Sequence, residues 1–157
     1  MRAKQHRLVA AVLVAVAMLA VAGCSGDDDG PTTLAKGEDV EFAGEGGVAG
    51  QTLNITAEEE DGVVTGEFRV TENVIKVECA DTGTDGVVIL GGAATAGPDV
   101  AVGDLLALVI REGDPDSVAL HANLSGAESC TELLESLPAA DQSDFVDVED
   151  GYDIETG

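Results

Sequence analysis

Hydrophobic and polar residues alternate along most of the middle of the chain. Apolar or small side chains occupy every second position in residues 53–57, 64–70 and 75–79, with polar side chains between them. A period of two residues is typical of half-buried β-strands. The sequence Glu60-Asp61-Gly62 separates the first two stretches and predicts a turn. Turn signals recur at short intervals, which favours antiparallel hairpins over βαβ units.

Two later stretches, residues 87–94 and 105–110, are apolar without alternation. Continuous runs of this length fit strands that are covered on both faces, or strands close to the closing seam of a barrel. Gly91 and Gly92 stand inside the first run, and glycine within a strand favours a bulge or a sharp bend. A further strand is expected over residues 117–124.

Residues 128–137 carry the helical pattern of the sequence. Leu133, Leu134 and Leu137 fall on one helix face, and Pro138 ends the pattern. An acidic stretch follows from residue 141 to the end. Within it, we expect a last short strand at Phe145, Val146 and Val148.

Together these patterns predict a mainly β protein: an antiparallel β-sandwich or small β-barrel with one short helix near the C-terminal end. We expect the β domain to span residues 39–150. Residues 24–38 lack apolar periodicity and are rich in Asp and Gly, so they are expected to form a flexible acidic linker. Residues 151–157 are expected to be a disordered acidic tail.

The first 23 residues have the pattern of an export signal. Arg2, Lys4 and Arg7 precede an uncharged apolar run at residues 8–22, which is short for a membrane span. The run ends in Val21-Ala22-Gly23-Cys24, which resembles a bacterial lipobox. The resemblance implies cleavage after Gly23 and a lipid-modified Cys24 as the new N-terminus. The alternative is an ordinary signal peptide with a chance Cys.

The net charge of the chain excludes some classes of binding partner. The chain has a formal net charge of −24, and removal of residues 1–23 takes away three basic and no acidic residues, which leaves −27. Such a balance excludes nucleic-acid binding through a basic patch and electrostatic docking on anionic lipid. We therefore expect a membrane-anchored protein on the extracytoplasmic face of the cell membrane, held by its lipid alone.

Two cysteines remain after the anchor, Cys79 and Cys130. An even pair outside the cytoplasm predicts a disulfide bond. The alternatives are two free buried thiols or half of a metal site, and the mature chain has a single His to complete such a site.

A family resemblance rests on Val77-Glu78-Cys79, on residues 88–92 and 109–117, and on the distant Cys130. Together these features resemble a group of small secreted or lipid-anchored β domains of high-GC Gram-positive bacteria. The chain departs from that pattern at Arg111, where an acidic residue is more usual. The resemblance implies an antiparallel β fold and implies no activity.

Catalytic motifs are missing from the sequence. His121 is the mature chain's single His, and no Gly-x-Ser-x-Gly nucleophile motif accompanies it. Carboxylate pairs are frequent, but a glycosidase also needs sugar-stacking rings, and the chain has no Trp. We expect a non-enzymatic protein without a cofactor, with His121 on the surface or at a strand rim.

Metal binding has weak candidates in two loops. Asp81 and Asp85 occupy positions 1 and 5 of an EF-hand-like loop, but its third and twelfth positions are glycines, so the EF-hand pattern fails. Asp114 and Asp116, with Glu112, offer a second oxygen cluster. In both loops a solvated turn is the simpler interpretation.

The sequence therefore predicts a lipid-anchored, non-enzymatic binding or interaction module of the cell envelope, with a basic protein or another envelope component as partner. The alternative is a β-barrel carrier that binds a cation or a small apolar ligand in its lumen.

Overall fold

The computed structural model describes residues 30–43, 50–83, 86–123, 125–138, 144–149 and 153–157. Within these residues, strands alternate with short turns as the two-residue period predicts. The elements are β1 (Thr32–Glu41), β2 (Thr52–Glu60), β3 (Val63–Val70), β4 (Asn73–Thr82), β5 (Val87–Ala96), β6 (Leu105–Arg111), β7 (Ser117–Ala122), α1 (Cys130–Ser136), β8 (Val146–Asp147) and β9 (Glu155–Thr156).

All described strands belong to one antiparallel sheet, in the order β8-β7-β6-β5-β4-β3-β2-β1-β9. Strands β1 to β7 form a simple meander, in which each strand pairs with the next along the chain. The expected mainly antiparallel β fold with one short C-terminal helix is confirmed. In the described residues a single sheet curls into a half-barrel, which is the barrel rather than the sandwich of the two expected architectures.

The edges of the curled sheet meet at a seam between β1 and β7. Residues 146–149, here called the bridging segment, pair with β7 through β8 and contact the end of β1 through a bridge between Val148 and Phe42. The backbone N–H of Val148 donates to the carbonyl of Asp116 at 2.8 Å, and that of Ala43 donates to the carbonyl of Asp147 at 2.8 Å. One short segment thus hydrogen-bonds to both sides of the seam.

The interior of the curl is filled with apolar side chains from every long strand. The alternation seen in the sequence places one side chain of each pair inside and the next in solvent. Completely buried side chains of this interior include Phe68, Leu53, Ile75, Leu90, Leu108, Ile110, Val40, Val77, Val118 and Val148.

Strands β5 and β6 are covered on both faces, which confirms one of the two interpretations of their continuous apolar runs. Leu108 belongs to the interior cluster, whereas Ala107 and Val109 are buried on the other face. Helix α1 packs across β4, β5 and β6 and buries its own Leu133. A strand between a filled interior and a helix needs apolar residues at successive positions.

Helix α1 covers Cys130–Ser136 rather than the predicted residues 128–137, because capping residues end it on both sides. Ser129 is the N-cap, and its Oγ accepts the backbone N–H of Glu132 at 3.3 Å. The Glu132 carboxylate accepts the N–H of Glu128, the residue before the N-cap, at 2.9 Å, which adds a second bond at this end of the helix. Leu137 is the C-cap in an extended conformation, as expected before Pro138.

A bulge interrupts β4 at Glu78, opposite the two glycines of β5. Val77 pairs with Gly92 and Cys79 with Gly91, so the register shifts by one residue. A Cβ on Gly92 would lie 1.8 Å from the carbonyl oxygen of Lys76, which only glycine avoids. The bulge expected from Gly91 and Gly92 is confirmed.

Two predicted boundaries are wrong. Strand β1 begins at Thr32, so the second half of the expected linker at residues 24–38 is part of the sheet. Within its polar composition, the apolar side chains of Leu34 and Ala35 are buried and belong to the hydrophobic core.

The tail expected at residues 151–157 is also ordered in part. Residues 153–157, here called the C-terminal segment, bury Ile154 and pair β9 with β1 at Ala35 and Lys36. A single apolar residue among acids gives no periodic signal, which explains the missed strand.

Candidate functional site

The disulfide predicted between Cys79 and Cys130 is present and joins α1 to the sheet. The two Cα atoms are 5.9 Å apart, and 51 residues separate the cysteines along the chain. Cys130 is the first residue of α1, and Cys79 follows the bulge of β4. A Cβ on Gly91 would lie 2.8 Å from each Sγ and 3.0 Å from Leu134. The absence of a side chain at Gly91 therefore lets the disulfide and the helix lie on β5.

His121 lies on β7 at the margin of the helix-covered face. It is partly buried and lines a pocket of about 220 Å³ with Leu133, Leu137 and Pro138. Burial lowers the pKa of the His121 imidazole, and the negative charge of Asp144 opposes that effect. The position agrees with a strand-rim histidine, and the pocket has a nearly apolar lining.

The three weak metal candidates that the structure describes, Asp81, Asp114 and Asp116, do not form a metal-binding group. Asp81 is exposed on β4, Asp114 is exposed in the β6–β7 turn, and Asp85 lies outside the described residues. Asp116 is only 8% exposed and accepts hydrogen bonds from backbone amides. Among the described residues, no group of three His, Cys, Asp or Glu side chains is placed to hold a metal ion.

Asp116 instead joins the β6–β7 turn to the C-terminal segment. Its Oδ1 accepts the backbone N–H of Gly113 at 2.9 Å, and its Oδ2 accepts that of Ile154 at 3.0 Å. A second bond crosses the same gap, from the hydroxyl of Thr156 to the carboxylate of Glu112. The turn of β6 and β7 thus holds the chain that runs along β1.

Asp116 also affects the carboxyl group of Asp153, the exposed residue before Ile154. A side-chain hydrogen bond with Asp116 raises the pKa of Asp153, and the negative charges of Asp116 and Glu155 add to the rise. Burial and hydrogen bonding of Asp116 were not predicted, because an Asp-Pro-Asp turn resembles a solvated turn. The apolar Ile154 within the acidic tail was the one local hint of a docked segment, and a single residue without periodicity was not enough to predict it.

A surface cleft of about 440 Å³ opens between the β5–β6 turn and the loop that leads to α1. Leu105, Leu106 and Val100 contribute apolar surface, and the carboxylates of the rim are Asp99, Asp104 and Glu128. Asp104 accepts the N–H of Ala101 at 2.8 Å, and Asp99 accepts the amide of Asn73 at 3.2 Å. These bonds hold two rim carboxylates in fixed positions beside the apolar side chains of the cleft floor.

Val102 lies next in sequence to the cleft residue Gly103. It lies in the β5–β6 turn and is 78% exposed, the largest exposure of a large apolar side chain among the described residues. An exposed valine beside a cleft with carboxylates at its rim provides both apolar and charged contacts for a partner.

Arg111, the last residue of β6, contacts an aromatic ring that precedes β8. Its guanidinium lies 3.8 Å from the ring centroid of Phe145, just before the bridging segment. A cation–π contact of this kind helps to fix the position of Phe145 just before the bridging segment. Arg111 thus has a structural role beside the bridging segment.

Cys24, the predicted lipidation site, lies outside the described residues. No helix within the described parts of the chain is long and apolar enough to cross a membrane.

Comparison with known proteins gave no matching family model, no matching curated protein and no matching solved structure.

Proposed function

We propose that the protein is a lipid-anchored, non-enzymatic binding module held on the extracytoplasmic face of the cell membrane through Cys24. The observation that carries the location is the Cys79–Cys130 disulfide, because such bonds persist in oxidising compartments. The signal-like sequence of residues 1–23 and the lipobox-like Cys24 support the same location.

The start of β1 limits how far the domain extends from its anchor. Seven residues, 25–31, separate Cys24 from Thr32. Fully extended, seven residues span at most about 25 Å. The domain is therefore held close to the headgroups rather than at the end of a long flexible stalk.

The cleft is the proposed binding surface. Strand β1 starts beside the β2–β3 turn, because Thr32 pairs with Glu59. The cleft lies at the β5–β6 turn, and in an antiparallel meander these two turns are at opposite ends of the sheet. This arrangement directs the cleft away from the anchored end, towards a partner in the envelope.

The proposed partner is a protein segment in which Lys or Arg flanks apolar side chains. The floor of the cleft and Val102 offer apolar contacts, while the carboxylates of Asp99, Asp104 and Glu128 complement basic groups. The strong net negative charge of the chain would also accelerate encounter with a basic partner.

A carrier for small apolar ligands needs a lumen that a ligand can enter. In the described residues the inside of the curl is occupied by tightly buried side chains, including Phe68, Leu90 and Leu108. The cation-binding alternative lacks a ligand cluster in the same residues. Neither alternative has an observation that favours it.

The anchor is tested in bacterial cells that express the full chain with labelled palmitate. We expect the wild type to take up label and to fractionate with membranes, and Cys24→Ser to lose both properties. Gly30→Ala, whose added methyl meets no atom within 4 Å, serves as the control variant. Equal labelling or equal membrane recovery of Cys24→Ser would overturn the anchor.

The cleft is tested by fluorescence anisotropy with a labelled peptide that alternates Lys and Leu. A double variant, Asp104→Asn with Glu128→Gln, is expected to bind about two- to thirtyfold more weakly, since each exposed ion pair contributes about 0.2–1 kcal/mol. Glu58→Gln with Glu60→Gln removes the same charge from β2 close to the β2–β3 turn, at the end of the sheet opposite the cleft. Equal losses in both double variants would show non-specific attraction and would reject the cleft as the site.

A further inference from the structure

The two walls of the cleft are each held by the side-chain amide of an asparagine. Asn73 is the first residue of β4, and Asn123 directly follows β7. Both side chains are half-buried, and each uses its amide oxygen and its amide nitrogen on the same neighbouring residue. An amide that donates and accepts at once fixes its partner in both position and orientation. The two asparagines are here called the asparagine clamps.

Asn73 holds the wall that the β5–β6 turn forms. Its Oδ1 accepts the backbone N–H of Asp99 at 3.1 Å, and its Nδ2 donates to the carboxylate of Asp99 at 3.2 Å. The turn comes this close because of Gly97, where a Cβ would lie 2.7 Å from the Cα of Asn73. Asn73 is itself fixed on the sheet, since it pairs with Val70 across the β3–β4 turn. One rim carboxylate is therefore attached to the sheet through both its main chain and its side chain.

Asn123 holds the opposite wall, the loop that leads to α1. Its Oδ1 accepts the backbone N–H of Ala127 at 2.9 Å, and its Nδ2 donates to the carbonyl of Ala127 at 2.6 Å. The backbone N–H of Asn123 donates to the carbonyl of Leu105 at 3.1 Å, which joins this clamp to β6. Glu128, the residue after Ala127, donates its N–H to the Glu132 carboxylate at 2.9 Å. The main chain from which the Glu128 side chain projects is therefore held on both sides.

We infer that Asn73 and Asn123 are positioning residues that set the separation of the two walls of the cleft, so that it selects a partner with two basic side chains at a matching distance. The inference rests on the function proposed above for the cleft. A rim that is in place before the partner arrives loses little conformational freedom on binding. The partner is therefore a polypeptide on which two Lys or Arg side chains flank an apolar one at a preferred separation.

The selectivity comes from the second ion pair. A partner of matching length reaches the carboxylates of Asp99 and Glu128 together, whereas a shorter or longer one reaches only one of them. An exposed ion pair changes affinity by about 1.4- to 5-fold, which sets the size of the expected preference. If the walls move independently, partners of every length reach both carboxylates and the preference disappears.

The test is fluorescence anisotropy of the full chain with a series of labelled peptides. Each peptide carries one Leu between two Lys, and an increasing number of Pro residues sets the distance between the Lys at about 3.1 Å per residue. We expect the wild type to prefer one length by about 1.4- to 5-fold. Asn73→Ala and Asn123→Ala are expected to bind the whole series with nearly equal affinities.

A matched control is the Asn54→Ala variant. Asn54 makes the same pair of bonds with Asp39, whose N–H it accepts at 3.0 Å and to whose carboxylate it donates at 3.1 Å. It lies outside the lining of the cleft. We expect Asn54→Ala to keep the wild-type preference for peptide length. An unchanged preference in both clamp variants, or an equal loss in Asn54→Ala, would overturn the inference.

Hydrogen exchange tests the clamps without a peptide. Asn73→Ala is expected to lower the protection of the Asp99 amide, and Asn123→Ala that of the Ala127 amide, each without effect on the other. Unchanged protection, or an equal loss at both amides in either variant, would overturn the inference.

The peptide series also separates this inference from the proposed function. If the wild type binds every peptide equally, the selectivity is rejected and the cleft remains a binding surface. If the wild type binds none of the peptides, the proposed function is rejected and the selectivity with it.

Discussion

Gly91 lies directly beneath Cys130, so that any Cβ on this glycine would stand 2.8 Å from the sulfur of the disulfide. Real Cβ atoms do not approach sulfur this closely, and Leu134 closes the remaining space at 3.0 Å. The helix, the disulfide and β5 therefore depend on one another at this single position.

Replacing Gly91 with alanine is expected to destabilise the protein by about 1–3 kcal/mol, as overpacking of a close contact does. The methyl group must displace the disulfide and the helix from the sheet. Urea unfolding of the oxidised protein measures the effect. Gly30→Ala, which adds a methyl in open space, is expected to change the free energy of unfolding by less than about 0.5 kcal/mol.

Removal of the disulfide by Cys79→Ala with Cys130→Ala is expected to cost about 2–4 kcal/mol. The bond closes a loop between residues 51 positions apart, which restricts the unfolded chain. Thermal unfolding of the double variant and of the wild type checks this value.

The two effects are coupled, which gives a further measurement. In the Cys79→Ala, Cys130→Ala background, Gly91→Ala no longer meets sulfur and is expected to cost less than it does in the wild type. Strict additivity of the three substitutions would contradict the contact described here.

Asp116→Ala is expected to destabilise the fold by about 1–3 kcal/mol, because two backbone amides lose their acceptor. One belongs to Gly113 within the turn and the other to Ile154 in the C-terminal segment. Asp116→Asn retains an acceptor and is expected to cost less. Chemical unfolding measures both variants, and the opposite order of stability would show that charge rather than hydrogen bonding matters at this position.

The stability of the folded protein is expected to depend on pH through His121. Because burial lowers the pKa of His121 in the folded protein, its contribution to stability is present above the unfolded pKa. That contribution is lost as pH falls through the folded pKa. We expect His121→Gln to flatten the acid side of the stability profile, measured as the urea midpoint against pH. A profile identical to that of the wild type would contradict this assignment.

The strands could be predicted from the sequence where buried and exposed residues follow a regular pattern along the chain. Residues 64–70 and 75–79 alternate strictly, and the runs within β5 and β6 are apolar because the interior and α1 cover both faces. The disulfide followed from the number of cysteines and the expected compartment, without any knowledge of distance. For the strands the information lies in neighbouring residues, and for the disulfide it lies in the number of cysteines.

The seam was not predictable because its contacts join distant residues. Phe42 pairs with Val148, and Asp116 bonds to Ile154, 38 positions away. Neither contact leaves a periodic signal, and the acids around Ile154 give the composition of a solvated tail. The cleft also arises from the curl of the sheet, which alternation alone does not specify.

The bridging segment has a consequence for how copies of the protein behave when they are crowded on a surface. In an open sheet, β1 and β7 would be edge strands, and free backbone edges recruit strands from neighbouring molecules. Residues 146–149 and 153–157 cover parts of both edges with the chain's own backbone. A protease that removed these residues would expose a template for intermolecular strand pairing, so the last part of the chain protects the protein from aggregation.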